Sequence, residues 1–203
     1  MRPSPKLLRR GLTALAGALA LGGVGLIAYP FATDLWAARI QHRLLREMNA
    51  GDQSYRLADT RVGDPLTRLE IPTLDVDVVV VEGTSQDALR AGAGHYPDTA
   101  LPGDPGNVAI AGHRTTYGRP FNRMDELKGG DEVILTTPFG RYVYEIERPP
   151  WIVSPTDWSI IDEYPTGGSF LTLTSCHPEG SAAYRIVTRA RLVGSSIAVG
   201  EAS

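Results

Sequence analysis

Two alternating runs separated by a turn dominate residues 169–192, and they leave little freedom in what that segment can become. From Ser169 to Cys176, Leu171 and Leu173 alternate with Thr172 and Thr174, the period of a strand with one apolar face. Pro178 and Gly180 then signal a turn. From Tyr184 to Leu192 a second alternation sets Arg185, Val187, Arg189 and Arg191 against Ile186, Thr188, Ala190 and Leu192. An antiparallel hairpin is expected. Successive strand side chains point to opposite faces, so with the leucines inward, Thr172, Thr174 and Cys176 face outward and Ser175 faces the leucine side. Such a hairpin brings Arg185 near Cys176 on the outer face.

Cys176 is the only cysteine of the chain, so it has no internal disulfide partner, and no Cys-x-x-Cys zinc motif exists. A lone cysteine is often a small buried hydrophobe. Here the outward phase and the nearby arginine point instead to a thiol used chemically. A nucleophilic thiolate needs a cation or base beside it, and four histidines are available. His42 precedes the folded domain. His95 lies in a glycine- and proline-rich loop, where it either lines the site or serves the loop. His177 is adjacent to Cys176 and points the other way, as a turn residue. His113 closes an expected strand, Asn107 to His113, on its non-core face, and Gly112 beside it permits close backbone approach. Arg114, Arg189 and Arg191 read as solvated cations.

The other end of the chain carries a different signal. Arg2, Lys6, Arg9 and Arg10 precede Gly11 to Thr33, an uncharged run of 23 residues. A helical crossing needs about 20 residues, whereas the apolar region of a cleaved signal peptide has roughly 7–15. Tyr29, Phe31 and Trp36 fit an interfacial aromatic belt, and the cations before the span place the N-terminus inside. The expected division is a basic cytoplasmic tail at 1–10, a membrane anchor at 11–33, a solvated stalk and linker at 34–63, the folded domain at 64–197 and a tail at 198–203. Residues 1–50 hold seven Lys/Arg against two Asp/Glu, net +5, and residues 51–203 hold thirteen against twenty-one, net −8. An acidic folded part argues against a nucleic-acid partner.

Within the domain, Leu69–Pro72 reads as an edge strand because proline cannot donate to a ladder. Val76 to Val81 reads as a β-branched strand, and Thr84 to Arg90 as a short helix capped by Thr84 or Ser85. The spacing of Phe121, Met124 and Leu127 predicts a helix over Arg119–Leu127. Glu132–Thr137 and Arg141–Glu147 read as a hairpin around Pro138-Phe139-Gly140. Many short strands with few helices predict an all-β-dominated barrel or sandwich.

Thr172-Leu173-Thr174-Ser175-Cys176, with Arg185 downstream and the Ile110-Ala111-Gly112-His113-Arg114 segment upstream, resembles the sortase family of cysteine transpeptidases. Ser175 departs from the family's usual threonine but keeps a hydroxyl. Gly94-His95-Tyr96-Pro97, Ile110 to Gly118 and Cys176-His177-Pro178 look most like class E, the actinobacterial type. The resemblance implies a closed eight-stranded sortase-type β-barrel with short helices. Its catalytic residues would be His113, Cys176 and Arg185; Tyr96, Tyr117, Thr174 and Ser175 are candidate substrate contacts, and the sequence shows no cofactor or metal motif. The resemblance implies partners as well: surface proteins with a C-terminal LAXTG- or LPXTG-like sorting signal, cut between Thr and Gly, and the amine of a lipid II-type peptidoglycan precursor. The enzyme would be single-pass in the cell membrane with its catalytic domain extracellular. Two other classes use the same residues. A cell-surface cysteine hydrolase would take water as acceptor, and a non-catalytic binding barrel would carry an inert thiol.

Overall fold

A computed structural model describes residues 5–50, 60–162 and 167–197. The first four residues, the 51–59 part of the linker and the 198–203 tail lie outside the described residues.

A single long helix, α1 (Pro5–Asn49), comes first. Its N-terminal half is long and apolar enough to cross a membrane, and leucines such as Leu21 and Leu26 face away from the rest of the protein. The second half is not the expected solvated stalk. Ala37 and Leu44 are buried, and Leu44 packs with Val79, Val81 and Ala88 of the domain. The Gln41 amide accepts from the Val79 N–H at 2.6 Å and donates to the carbonyls of Val79 and Ala91 at 3.0 and 2.6 Å. In sequence this half looks basic and amphipathic. Its apolar stripe finds a cover because the outer faces of Val79 and Val81 would otherwise stand bare.

The domain is built from β1 (Pro65–Ile71), β2 (Val76–Glu82), α2 (Gln86–Ala91), β3 (Ala93–His95), β4 (Gly106–Gly112), β5 (Glu132–Thr137), β6 (Gly140–Ile146), β7 (Trp151–Val153), β8 (Ser169–His177) and β9 (Tyr184–Ile197). The sheet runs β6-β5-β1-β2-β3-β4-β8-β9, and β6 pairs with β9 to close eight strands into a ring, with β7 added alongside β9. Closure leaves no open edge in the ring to recruit another chain. The expected closed eight-stranded barrel is thus the observed fold.

Several local expectations are corrected. β1 is no edge strand, since it lies between β2 and β5. Pro72 stays out of the ladder by opening a 3-10 turn, Pro72–Leu74. The helix expected over Arg119–Leu127 shrinks to the 3-10 turn Met124–Glu126. Phe121, Met124 and Leu127 are all buried as expected, but an i, i+3 repeat also suits 3-10 geometry, and left-handed backbone at Arg119 (φ 47°) blocks a longer helix. α2 forms as expected, with the Ser85 Oγ accepting from the Ala88 N–H.

Leu69, Val108, Ile110, Leu171, Leu173, Ile186 and Tyr144 fill the barrel interior. Register neighbours share a face, so the pairs Ile110–Leu173 and Leu173–Thr188 mark the inner side of β4, β8 and β9. Asn107, Ala109, Ala111, Thr172, Thr174 and Val187 mark the outer side.

Candidate active site

In sequence β8 reads as half-buried, yet its outer face is covered too: Thr172 and Thr174 are as buried as the leucines. Two segments provide the cover. The Asn107 side chain accepts from the Thr172 hydroxyl at 2.8 Å and donates to the Ile161 carbonyl at 3.2 Å, while Arg189 donates to the Ile160 carbonyl at 2.8 Å. On the other side the Tyr96 hydroxyl lies 3.2 Å from that of Thr174. The cover stops short of Cys176, which is partly exposed.

Cys176 and Arg185 are direct partners in the β8–β9 ladder, so both side chains leave the sheet on the outer face. The Arg185 guanidinium donates to the carbonyls of Ala182 and Tyr184 at 3.1 and 3.0 Å. Among the described residues no carboxylate pairs with it. β4 runs parallel to β8, with Ala111 opposite Thr174. Continuing that register by two residues sets His113 level with Cys176. The two strand ends are held together by the Ser175 hydroxyl, which donates to the Gly112 carbonyl at 2.8 Å. Gly112 is required here, because a Cβ would come within 2.6 Å of the Phe121 ring. Three strands therefore present histidine, thiol and guanidinium in one row.

His113 is partly buried, and its Nε2 is enclosed without a hydrogen-bond partner among the described residues. Burial, with a smaller contribution from the Arg90 charge, holds its pKa below the usual imidazole value. The neutral ring is thereby favoured near pH 7.

The remaining sequence-derived candidates fall in different places. Tyr96 borders the row through Thr174. Ser175 points inward, is buried, and braces β4 against β8 through its bond to the Gly112 carbonyl. Tyr117 stands 5.3 Å, ring to ring, from His113, but its hydroxyl is 3.2 Å from that of Tyr29 on α1. His95 is buried, with its ring nitrogens against Glu82 at 2.8 Å and the Ala100 carbonyl at 3.0 Å, so it holds its loop and does not line the site. Among the described residues no cluster of His, Cys, Asp or Glu is arranged to hold a metal ion.

Arg114 and Arg189 are not the solvated cations they resemble in sequence. The Arg114 side chain is 4% exposed and pairs with Asp125 at 2.7 Å and Glu179 at 3.5 Å. It ties the segment after His113 to the turn after Cys176. Sequence reasoning missed it because Glu179 is distant in the chain and Asp125, eleven residues on, stands in no regular spacing to it; its place directly after His113 was the one available signal. Arg191 is largely exposed, 3.4 Å from Glu147.

The family model of the sortase domain matches residues 69–193. Sortase SrtE1 of Streptomyces coelicolor is 34% identical over 144 residues, 64% of this chain and 41% of the relative. Sortase D of Bacillus subtilis is 36% identical over 132 residues, 64% of each chain. This chain thus spans about two fifths of the first relative and under two thirds of the second. The structure of sortase E from Streptomyces avermitilis superposes with a TM-score of 0.63 at 37% identity, covering 68% of this chain and 93% of that one. The match to the family model takes in part of every barrel strand and the whole row of His113, Cys176 and Arg185, and on that ground the chain belongs to the sortase family.

Proposed function

We propose that this protein is a membrane-anchored cysteine transpeptidase acting on sorting peptides. The observation that carries this reading is the row formed by His113, Cys176 and Arg185 across β4, β8 and β9. The Cys176 thiolate attacks the carbonyl carbon of the threonine that precedes glycine in an LAXTG- or LPXTG-like signal. Arg185 donates hydrogen bonds to the oxyanion that develops, a task suited to its planar set of donors. As the C–N bond breaks, protonated His113 gives its proton to the departing glycine nitrogen. The acyl group is left as a thioester on Cys176. An acceptor amine then attacks the thioester, His113 takes the amine's proton, and the new amide leaves as the thiolate returns. Arginine remains protonated throughout, so proton transfer falls to the histidine.

The acceptor proposed is the amine of a lipid II-type cell-wall precursor, and the donors are surface proteins with a C-terminal sorting signal. The apolar half of α1 serves as a single-pass anchor, with the cations before it on the cytoplasmic side and the barrel outside.

Mass spectrometry of the full chain with LAXTG and LPXTG peptides tests the reading. An acyl adduct on Cys176 that is discharged faster by added amine is expected. Cleavage whose products do not shift when amine is added would indicate a hydrolase, and absence of any adduct would indicate a binding barrel.

A further inference from the structure

Between the anchor helix and His113 lies a short run of left-handed backbone. Tyr117, Gly118 and Arg119 have φ of 54°, 78° and 47°. A tyrosine and an arginine adopt that conformation only where surrounding structure imposes it. What imposes it here is the stretch of α1 from the last residue of the apolar span, Thr33, onward. The Thr33 hydroxyl accepts from the Tyr117 N–H at 3.4 Å. One carboxylate oxygen of Asp34 accepts from the Gly118 N–H at 2.9 Å, and the other pairs with Arg119 at 3.0 Å. Trp36 meets the Tyr117 ring edge-on, with centroids 6.0 Å apart. Gly118 lies alongside α1, where a Cβ would be in ordinary van der Waals contact with that of Ala37, at 3.6 Å. The Tyr117 ring held in this way is the ring that stands 5.3 Å from His113.

We propose that Asp34 and Trp36 of the anchor helix are positioning residues for the reaction: docked along the barrel, α1 clamps the 117–119 loop so that Tyr117 supports the imidazole of His113. The proposal rests on the sortase reading above. It makes the segment beyond the membrane part of the catalytic apparatus, in place of the passive stalk its composition suggests. Gln41 and Leu44, about two and three turns beyond Asp34, fasten the same helix to β2 and α2, so the clamp has a fixed base. A histidine that must deliver a proton to a leaving nitrogen is sensitive to small displacements, and a misplacement of about 1 Å costs on the order of a hundredfold in rate.

The test uses the full chain in detergent micelles with a fluorogenic sorting peptide. Wild type must first form the Cys176 adduct; failure at that step rejects the sortase reading itself, whereas the variants address only the clamp. Asp34→Ala is expected to lower kcat about tenfold to a hundredfold with KM for the peptide unchanged. Asp34→Asn, which keeps an acceptor for the Gly118 N–H, is expected to restore most of the loss. Hydrogen exchange at residues 115–119 should quicken in Asp34→Ala while β8 and β9 stay protected. Trp36→Ala should lower kcat in the same way, and it carries the test alone if Asp34→Ala does not fold. An unchanged or raised kcat overturns the proposal. So does a loss that the Asn variant fails to relieve and that accompanies a lowered melting temperature of the whole barrel.

Discussion

Cys176 and Arg185 stand directly opposite each other in the β8–β9 ladder, on the face that the barrel core does not use. Cross-strand partners have Cβ atoms about 4.5–5.5 Å apart, so the guanidinium needs no loop rearrangement to reach a group bound at the sulfur.

Cys176→Ala is expected to abolish peptide cleavage while the barrel stays folded. The residue is partly exposed at the end of the covered outer face, so losing its sulfur opens no core cavity. Turnover assays alongside circular dichroism check this, and residual cleavage near the wild-type rate would rule Cys176 out as nucleophile.

Arg185→Lys is expected to lower kcat by about a hundredfold to a thousandfold, the range found when one oxyanion donor is removed. A point ammonium cannot reproduce the planar fork, and it also gives up the bonds to the Ala182 and Tyr184 carbonyls. Steady-state kinetics at constant melting temperature isolates the chemical loss. A lysine variant equal to wild type would assign Arg185 to structure alone.

The lowered pKa of His113 has two measurable consequences. The reactive thiolate–imidazolium pair carries one net proton, so the rate should follow a bell in pH whose acid limb marks the first proton lost from the pair. Because burial and Arg90 depress His113 below the ordinary imidazole value of 6.5, that limb should fall below that pH. Arg90→Leu should move that limb upward, part of the way only, since burial is the larger cause. For stability the sign is fixed by proton uptake: the unfolded chain binds the proton more readily, so the contribution of His113 is full above pH 6.5 and is lost as pH falls through its folded value. An acid limb that stays put in Arg90→Leu would count against a role for this histidine.

Tyr96→Phe is expected to reduce discrimination between LAXTG and LPXTG peptides. The Tyr96 hydroxyl sits beside Thr174, two residues before the thiol, where it can accept from the backbone N–H that alanine has and proline lacks. Against proline the hydroxyl keeps Thr174 and loses one hydrogen bond, which corresponds to about 0.5–1.5 kcal/mol, roughly twofold to tenfold in selectivity. Competition between the two peptides on both forms measures it. An unchanged preference would remove Tyr96 from the explanation.

Leu44→Ala is expected to destabilise the docked helix and the outer face of β2 by about 2–4 kcal/mol, as for other buried Leu→Ala changes. Leu44 is buried against Val79, Val81 and Ala88. Chemical denaturation of the full chain in detergent reads the loss, and a neutral effect would mean the helix is not packed there in solution.

Much of this protein is legible in its sequence because much of it is local. A period of two around Leu171 and Leu173, a turn at Pro178 and Gly180 and a second alternation from Tyr184 determine a hairpin that brings Arg185 near Cys176 on the outer face; their direct pairing is set by the register of the folded ladder. The uncharged run from Gly11 to Thr33 determines a helix of membrane-crossing length. What local pattern cannot carry is which surface covers which. Thr172 and Thr174 alternate as exposed residues do, yet Asn107, Arg189 and Tyr96 bury them from three separate parts of the chain. Arg114 looks solvated and becomes a brace only once Asp125 and Glu179 are brought to it, and Ser175, phased to the leucine side, finds its partner only in the Gly112 carbonyl of another strand. The second half of α1 reads as a solvated stalk because its cations dominate the pattern, while the packing of Leu44 depends on a bare face of β2 more than thirty residues away. Periodicity dictates the direction in which a side chain leaves its own strand or helix; only the closed barrel, by placing distant segments against each other, decides what that side chain meets.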